Sequence, residues 1–143
     1  MDIGGAMRNA ILMILLSVVS TSAAAQWSKW VIVDRGPSFV IYADIATIRK
    51  AGDIAQMWDL SDTNTDKALG AVKQSPSIKI EREYDCSKQQ LRVVYVSWHS
   101  ENMGGGKTTG SDSSPGIWQP ALQGTIGERF WRIACGVDRS RHL

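Results

Sequence analysis

The chain has two cysteines, Cys86 and Cys135, and each closes a segment with a clear periodicity. In Ser77 to Cys86, Ile78, Ile80, Tyr84 and Cys86 share one parity, while Lys79, Glu81, Glu83 and Asp85 share the other. Successive side chains of a strand point to opposite faces, so the pattern predicts one buried face, one wet face and an inward Cys86. Arg82 interrupts the inner row, where its aliphatic stem can cover apolar surface. Further on, Gly127, Phe130, Trp131, Ala134 and Cys135 fall at i, i+3, i+4, i+7 and i+8, one face of a helix, with Glu128, Arg129 and Arg132 opposite. Thr125-Ile126-Gly127-Glu128 is a capping box that opens this helix, and Gly136 sits where it ends. The two cysteines meet if the helix lies across the inner face of the sheet.

Whether the thiols join depends on the compartment. Arg8 precedes an apolar run from Ala10 to Leu16 that continues through Val18 and Val19, followed by Ser20-Thr21-Ser22-Ala23-Ala24-Ala25 and Gln26. A positive residue, a short apolar run and a small-residue site predict a secretory signal peptide over residues 1–25, cleaved after Ala25. Serine and threonine interrupt the run well short of the roughly 20 apolar residues of a membrane span. Met7 is an alternative start, because Met1 to Ala6 add nothing to the signal. No cysteine stands at the cleavage site, so no lipid anchor is expected. In an oxidising compartment two thiols are normally a disulfide. The predicted Cys86–Cys135 bridge spans 49 positions, and the chain-entropy argument assigns a loop of that size about 4 kcal/mol.

Residues 26–143 are expected to form a single domain. The full chain has 143 residues and a net charge of +2, so it is too short for several domains and too nearly neutral for a strongly basic nucleic-acid binder. Trp30-Val31-Ile32-Val33 and Phe39-Val40-Ile41-Tyr42 flank Asp34 to Ser38, a hairpin signature. Asp44 to Arg49 shows no alternation, and Asp44 is expected to cap a short helical turn. Ala51-Gly52-Asp53 punctuates the chain before Ile54 to Leu60, and Ser61 to Ser75 is expected to be a long loop. Gln90 to His99 has apolar residues on both parities and should be a central strand, or covered on both sides. Ser100 to Gly116, rich in Gly, Ser and Thr, suggests a hairpin or a mobile loop. The fold class that follows is α+β: an antiparallel sheet of about five or six strands, with a C-terminal helix packed on one face and disulfide-linked to a strand.

Chemistry is scarce in this sequence. Gly104-Gly105-Gly106-Lys107-Thr108 imitates a phosphate loop, but Glu101 stands where that motif needs glycine, so a turn is the better account. His99 and His142 make no cluster with metal-ligand spacing, and His99 reads as a loop or rim residue. Glu81, Glu83 and Asp85 read as a solvated strand face rather than catalytic carboxylates. Of the six tryptophans, Trp58, Trp98 and Trp131 read as core, while Trp27, Trp30 and Trp118 lie near element ends. An exposed one would be a binding anchor. Arg129, Arg132, Arg139 and Arg141 read as a charged helix face and tail. No catalytic or metal-binding residue and no cofactor is expected, and the residues do not single out a binding site.

Trp30, Tyr42-Ala43-Asp44-Ile45-Ala46-Thr47-Ile48-Arg49, Gly52-Asp53-Ile54, Trp58 and Leu60 resemble the first half of the surface-adhesin protein E family. Glu83-Tyr84-Asp85-Cys86, Leu91-Arg92, Met103-Gly104, Trp118-Gln119-Pro120, Glu128 and Cys135 resemble its second half. The resemblance implies the same sheet, helix and Cys86–Cys135 link. It also implies a non-enzymatic envelope protein of Gram-negative bacteria, in a family named for a surface lipoprotein that binds laminin and vitronectin. The expectation is an exported protein, periplasmic or on the cell surface, with a protein partner, no nucleic acid and no transmembrane segment in the mature chain. A periplasmic housekeeping role without a host ligand is the alternative, and an enzyme is a more distant one.

Overall fold

The computed structural model describes residues 28–63 and 76–137. The signal-peptide expectation for residues 1–25, most of the predicted loop (residues 64–75), Trp27, and the tail with Arg139, Arg141 and His142 lie outside the described residues. Strands β1 (Trp30–Arg35), β2 (Phe39–Ala51), β3 (Ile54–Thr63), β4 (Ser77–Asp85), β5 (Gln90–His99) and β6 (Thr108–Asp112) form an antiparallel meander in that order. The two-residue β7 (Gln119–Pro120) pairs with β5 at Leu91 and Gln90, beyond the end of β6. A short 3₁₀ turn, Asn102–Gly104, links β5 to β6, and helix α1 (Ile126–Cys135) ends the described chain. Consecutive strands lie side by side, the simplest arrangement of short connections.

Several strands run further than their hydrophobic runs suggest. Ser61 to Thr63 continue β3 rather than opening a loop, because they pair with Ile41, Val40 and Phe39 of β2. Asp44 to Arg49 belongs to β2 and is not a helical turn. The alternation fails there because the register with β3 shifts between Asp44 and Arg49. Asp44 does cap, but in a bulge: its carboxylate accepts from the backbone N–H of Lys29 at 2.7 Å and of Ala46 at 3.1 Å. Thr47 finishes the local network, donating to the Asp44 carbonyl and accepting from the Trp58 N–H.

β5 repeats the lesson. It is a central strand, as expected, but its mixed parity has a different cause from cover on both sides. Glu81 faces Tyr95 while Arg82 faces Val93, so Val94 is an inserted residue. Leu91 and Val93 before the bulge therefore share a face with Val96 and Trp98 after it.

That face carries the main core. Ala43, Ala55, Met57 and Tyr84 of the sheet are buried against Phe130, Trp131 and Ala134 of α1, with Ala121 beside them. Two alanines opposite the helix leave room for its aromatic side chains to approach the sheet. Cys86 and Cys135 are joined, with Cα atoms 5.6 Å apart, within the usual span of a disulfide. Trp131 adds a hydrogen bond from its indole N–H to the Asp85 carbonyl at 2.9 Å. Thr125 is the N-cap and accepts from the Glu128 N–H, while Gly136 closes the helix in the left-handed conformation with φ 68°. Glu128 is not on a solvated face as its position predicts. It is buried, because its carboxylate folds back to the Gly124 N–H at 2.7 Å and to Arg132 at 2.9 Å.

A candidate interaction surface on the open face of the sheet

Arg82 sits among the inward residues of β4, opposite Met57 on β3 and Val93 on β5. More than its stem is buried. Its Nε donates to Asp59 at 2.6 Å, its guanidinium lies 5.5 Å from the Phe130 ring centre, and Asp59 is only 2% exposed. Burial raises the Asp59 carboxyl above its ordinary range, against the pull of Arg82. Burial also opposes the Arg82 charge, but the Asp59 charge and hydrogen bond hold that guanidinium above its usual value. The hydroxyl of Tyr84 is buried with no hydrogen-bond partner among the described residues, and burial holds its proton on well above the usual phenol range. This cluster holds helix and sheet together and lies under the helix.

The other face has no helix over it. The strand register sets its side chains in rungs that cross the sheet, each step about 4.8 Å, and three of them carry the aromatic and charged residues. One rung is Trp30, Asp44, Trp58, Glu81 and Tyr95. A second is Ile32, Tyr42, Leu60, Lys79 and Ser97. The third is Arg49, Gln56, Glu83 and Arg92, and Trp118 extends it because the Arg92 guanidinium lies 4.7 Å from that indole centre. The aromatic rings pack edge to face: Trp58 with Tyr95 at 5.7 Å, and Trp30 with Tyr42 at 6.5 Å. Lys79 stands over Trp58 at 5.2 Å.

The charges on this face are matched across strands. Arg49 pairs with Glu81 at 3.4 Å and Arg92 with Glu83 at 2.7 Å, while the Gln56 amide also donates to Glu83. Glu81 and Glu83 are thus half-buried pair members rather than freely solvated acids, whereas Asp85 closes the turn after β4 through the backbone N–H groups of Ser87 and Lys88. Trp30, Tyr42, Trp58, Tyr95 and Trp118 are all half-buried, and Ile32 is 52% exposed. Trp131 is core as expected, while Trp58 and Trp98 are only half-buried. The strand parity puts Trp30 with Ile32 and Trp58 with Leu60. What the sequence does not show is that Trp118, Arg92 and Tyr95 join them, since that depends on the β5 bulge.

At one end the open face is covered. The 3₁₀ turn lies over Leu60, which is fully buried. A Cβ on Gly104, at φ 71°, would stand 2.7 Å from the Lys79 side chain and 3.5 Å from Leu60. Gly104 therefore belongs to a close-packed turn rather than a phosphate loop. Beneath it the Ser97 hydroxyl and His99 Nε2 are 2.9 Å apart, and both residues are buried. His99 is a covered residue at the end of its strand rather than a rim one. Among the described residues no group of histidine, cysteine and carboxylate side chains has the geometry to hold a metal ion, and no helix is long and apolar enough to cross a membrane.

The profile of the family described as Surface-adhesin protein E matches residues 30–136 of this chain. A crystal structure of Haemophilus influenzae protein E (form II) is similar, with a TM-score of 0.53 and 14% identity over 77% of this chain and 96% of that one. A second structure of Haemophilus influenzae protein E gives 0.53 and 14% over 76% and 92%, respectively. Protein E from non-typeable Haemophilus influenzae gives 0.50 and 12% over 77% and 86%. No curated protein matches the chain.

Proposed function

The chain belongs to the surface-adhesin protein E family, and from that premise we propose that it is an exported envelope protein that binds a protein partner on the open face of its sheet. The observation that carries this reading is the set of three rungs, where tryptophan, tyrosine and arginine side chains stand together without a covering helix. These residue types dominate the energetic centres of protein interfaces. Their rings are held by neighbours before any partner arrives, through the edge-to-face pairs and the Arg92–Trp118 stack. Little side-chain freedom is then lost on binding. The work of the protein is contact rather than catalysis.

The test is a saturation assay of the purified chain on immobilised laminin and vitronectin. Trp58→Ala and Trp118→Ala should each weaken binding by about 30-fold, the loss of a typical hot-spot side chain. Unchanged affinity in both variants, with the fold intact by circular dichroism, removes the open face as the site. Protease shaving of intact cells separates surface display from residence in the periplasm. A surface adhesin is degraded, and a periplasmic protein survives.

A further inference from the structure

Along β5, where Leu91 and Val93 face the helix side of the sheet and Arg92 comes round from the open face, there is a cavity of about 240 Å³. Arg82, Leu91, Val93, Ile117 and Gln119 line it. The register explains the grouping: Arg82 faces Val93 across β4 and β5, and Leu91 faces Gln119 across β5 and β7. Gly116 brings its backbone against the strand by donating its N–H to the Val93 carbonyl at 2.8 Å, which leaves Ile117 overhanging at 78% exposed.

We propose that this cavity binds a carboxylate that carries a short aliphatic tail. Arg82 is the recognition group. Asp59 engages its Nε and Nη2, and Phe130 lies under the guanidinium. Nη1 meets no acceptor among the described residues, so it is the donor left for an occupant. A guanidinium already fixed on one side loses little freedom in making one more charge-assisted bond. Arg92, itself paired with Glu83, adds a second guanidinium to the lining, and no acidic residue lines the cavity to repel a carboxylate. Leu91, Val93 and Ile117 supply apolar surface for the tail, and the Gln119 amide is the second polar group. The volume lies below the roughly 300–1,000 Å³ of sites for drug-sized ligands, which fits a branched five- or six-carbon acid or a C-terminal leucine.

The test is an NMR titration of the purified chain with 4-methylpentanoate and with the neutral 4-methylpentanamide. The acid should shift the amide signals of Leu91, Val93, Gly116 and Gln119 saturably, and the amide should bind about tenfold or more weakly. Equal binding of acid and amide, or shifts confined to other residues, overturns the proposal. Ile117→Glu sets a competing carboxylate over the cavity at an exposed position. It should cost about tenfold or more in affinity at an unchanged melting temperature, and unchanged binding overturns the proposal. A peptide ending in Ala-Leu with a free carboxylate, compared with its C-terminal amide, distinguishes the sources. Binding tighter than the small acid identifies a protein C-terminus as the occupant, and weaker binding identifies a free acid. Because Trp58 is not among the lining residues, Trp58→Ala should leave this titration unchanged, so its failure and that of the open-face reading are told apart.

Discussion

The two faces of one sheet treat charge in opposite ways. Under the helix, the fully buried Asp59 holds the largely buried Arg82, with Phe130 across the guanidinium. On the open face, Arg49–Glu81 and Arg92–Glu83 pair along the surface between aromatic rings. A charge without its partner is costly where water is excluded and cheap where water can replace it. The helix side is therefore intolerant of change. On the open side the paired charges can change with little consequence for the fold.

The sharpest way to break this contrast is to remove one member of each pair. Asp59→Ala leaves Arg82 unpaired in the interior and should cost about 3–5 kcal/mol in urea denaturation. Replacing both residues, as Asp59→Leu with Arg82→Met, should recover most of that loss, and a double variant as unstable as the single one refutes the argument. Next comes the covalent link. Cys86→Ser should lower stability by about 2–4 kcal/mol in oxidising buffer, and the variant should match the wild type in reductant. An equal difference in both buffers would mean the bridge contributes nothing. On the open face, Glu83→Gln should cost no more than about 1 kcal/mol, with a coupling to Arg92 of about 0.2–1 kcal/mol in a double-mutant cycle.

The same contrast explains what could be read from the sequence. The β4 alternation, the helix face from Gly127 to Cys135, and the caps at Thr125 and Gly136 are local, and local periodicity is enough to place the helix against the strand that leads into Cys86. Bulges defeated it. Asp44 looked like a helix cap because the same carboxylate chemistry satisfies backbone N–H groups in a bulge, and Val94 made a one-sided strand look two-sided. Asp59 and Arg82 meet across strands at a separation of 23 residues, and no period in either strand announces the pair. Glu128 looked exposed by its angle on the helix, yet its carboxylate turns back to cap and is buried. The cross-strand rungs follow from the register, and a single sequence does not state its register.

The smallest expected effect lies where the 3₁₀ turn closes over the open face. His99 is 8% exposed, and burial with the nearby Lys79 charge holds its pKa below the ordinary 6.5. The unfolded chain then binds this proton more readily than the folded one. The contribution to stability is full above about pH 6.5 and is lost as the pH falls from there toward the folded value. Asp85 and Asp112 are likewise depressed, Asp85 mainly by the Lys88 backbone N–H and Asp112 by that of Ser114, but as carboxylates they act below about pH 4, while Asp59, raised by burial and opposite in sign, is common to both proteins compared. Urea denaturation at pH 8, 7, 6 and 5 should show the wild type losing more stability on acidification than His99→Gln does. Parallel curves would mean that the imidazole is as accessible when folded as when unfolded, and that the turn does not seal this end of the face.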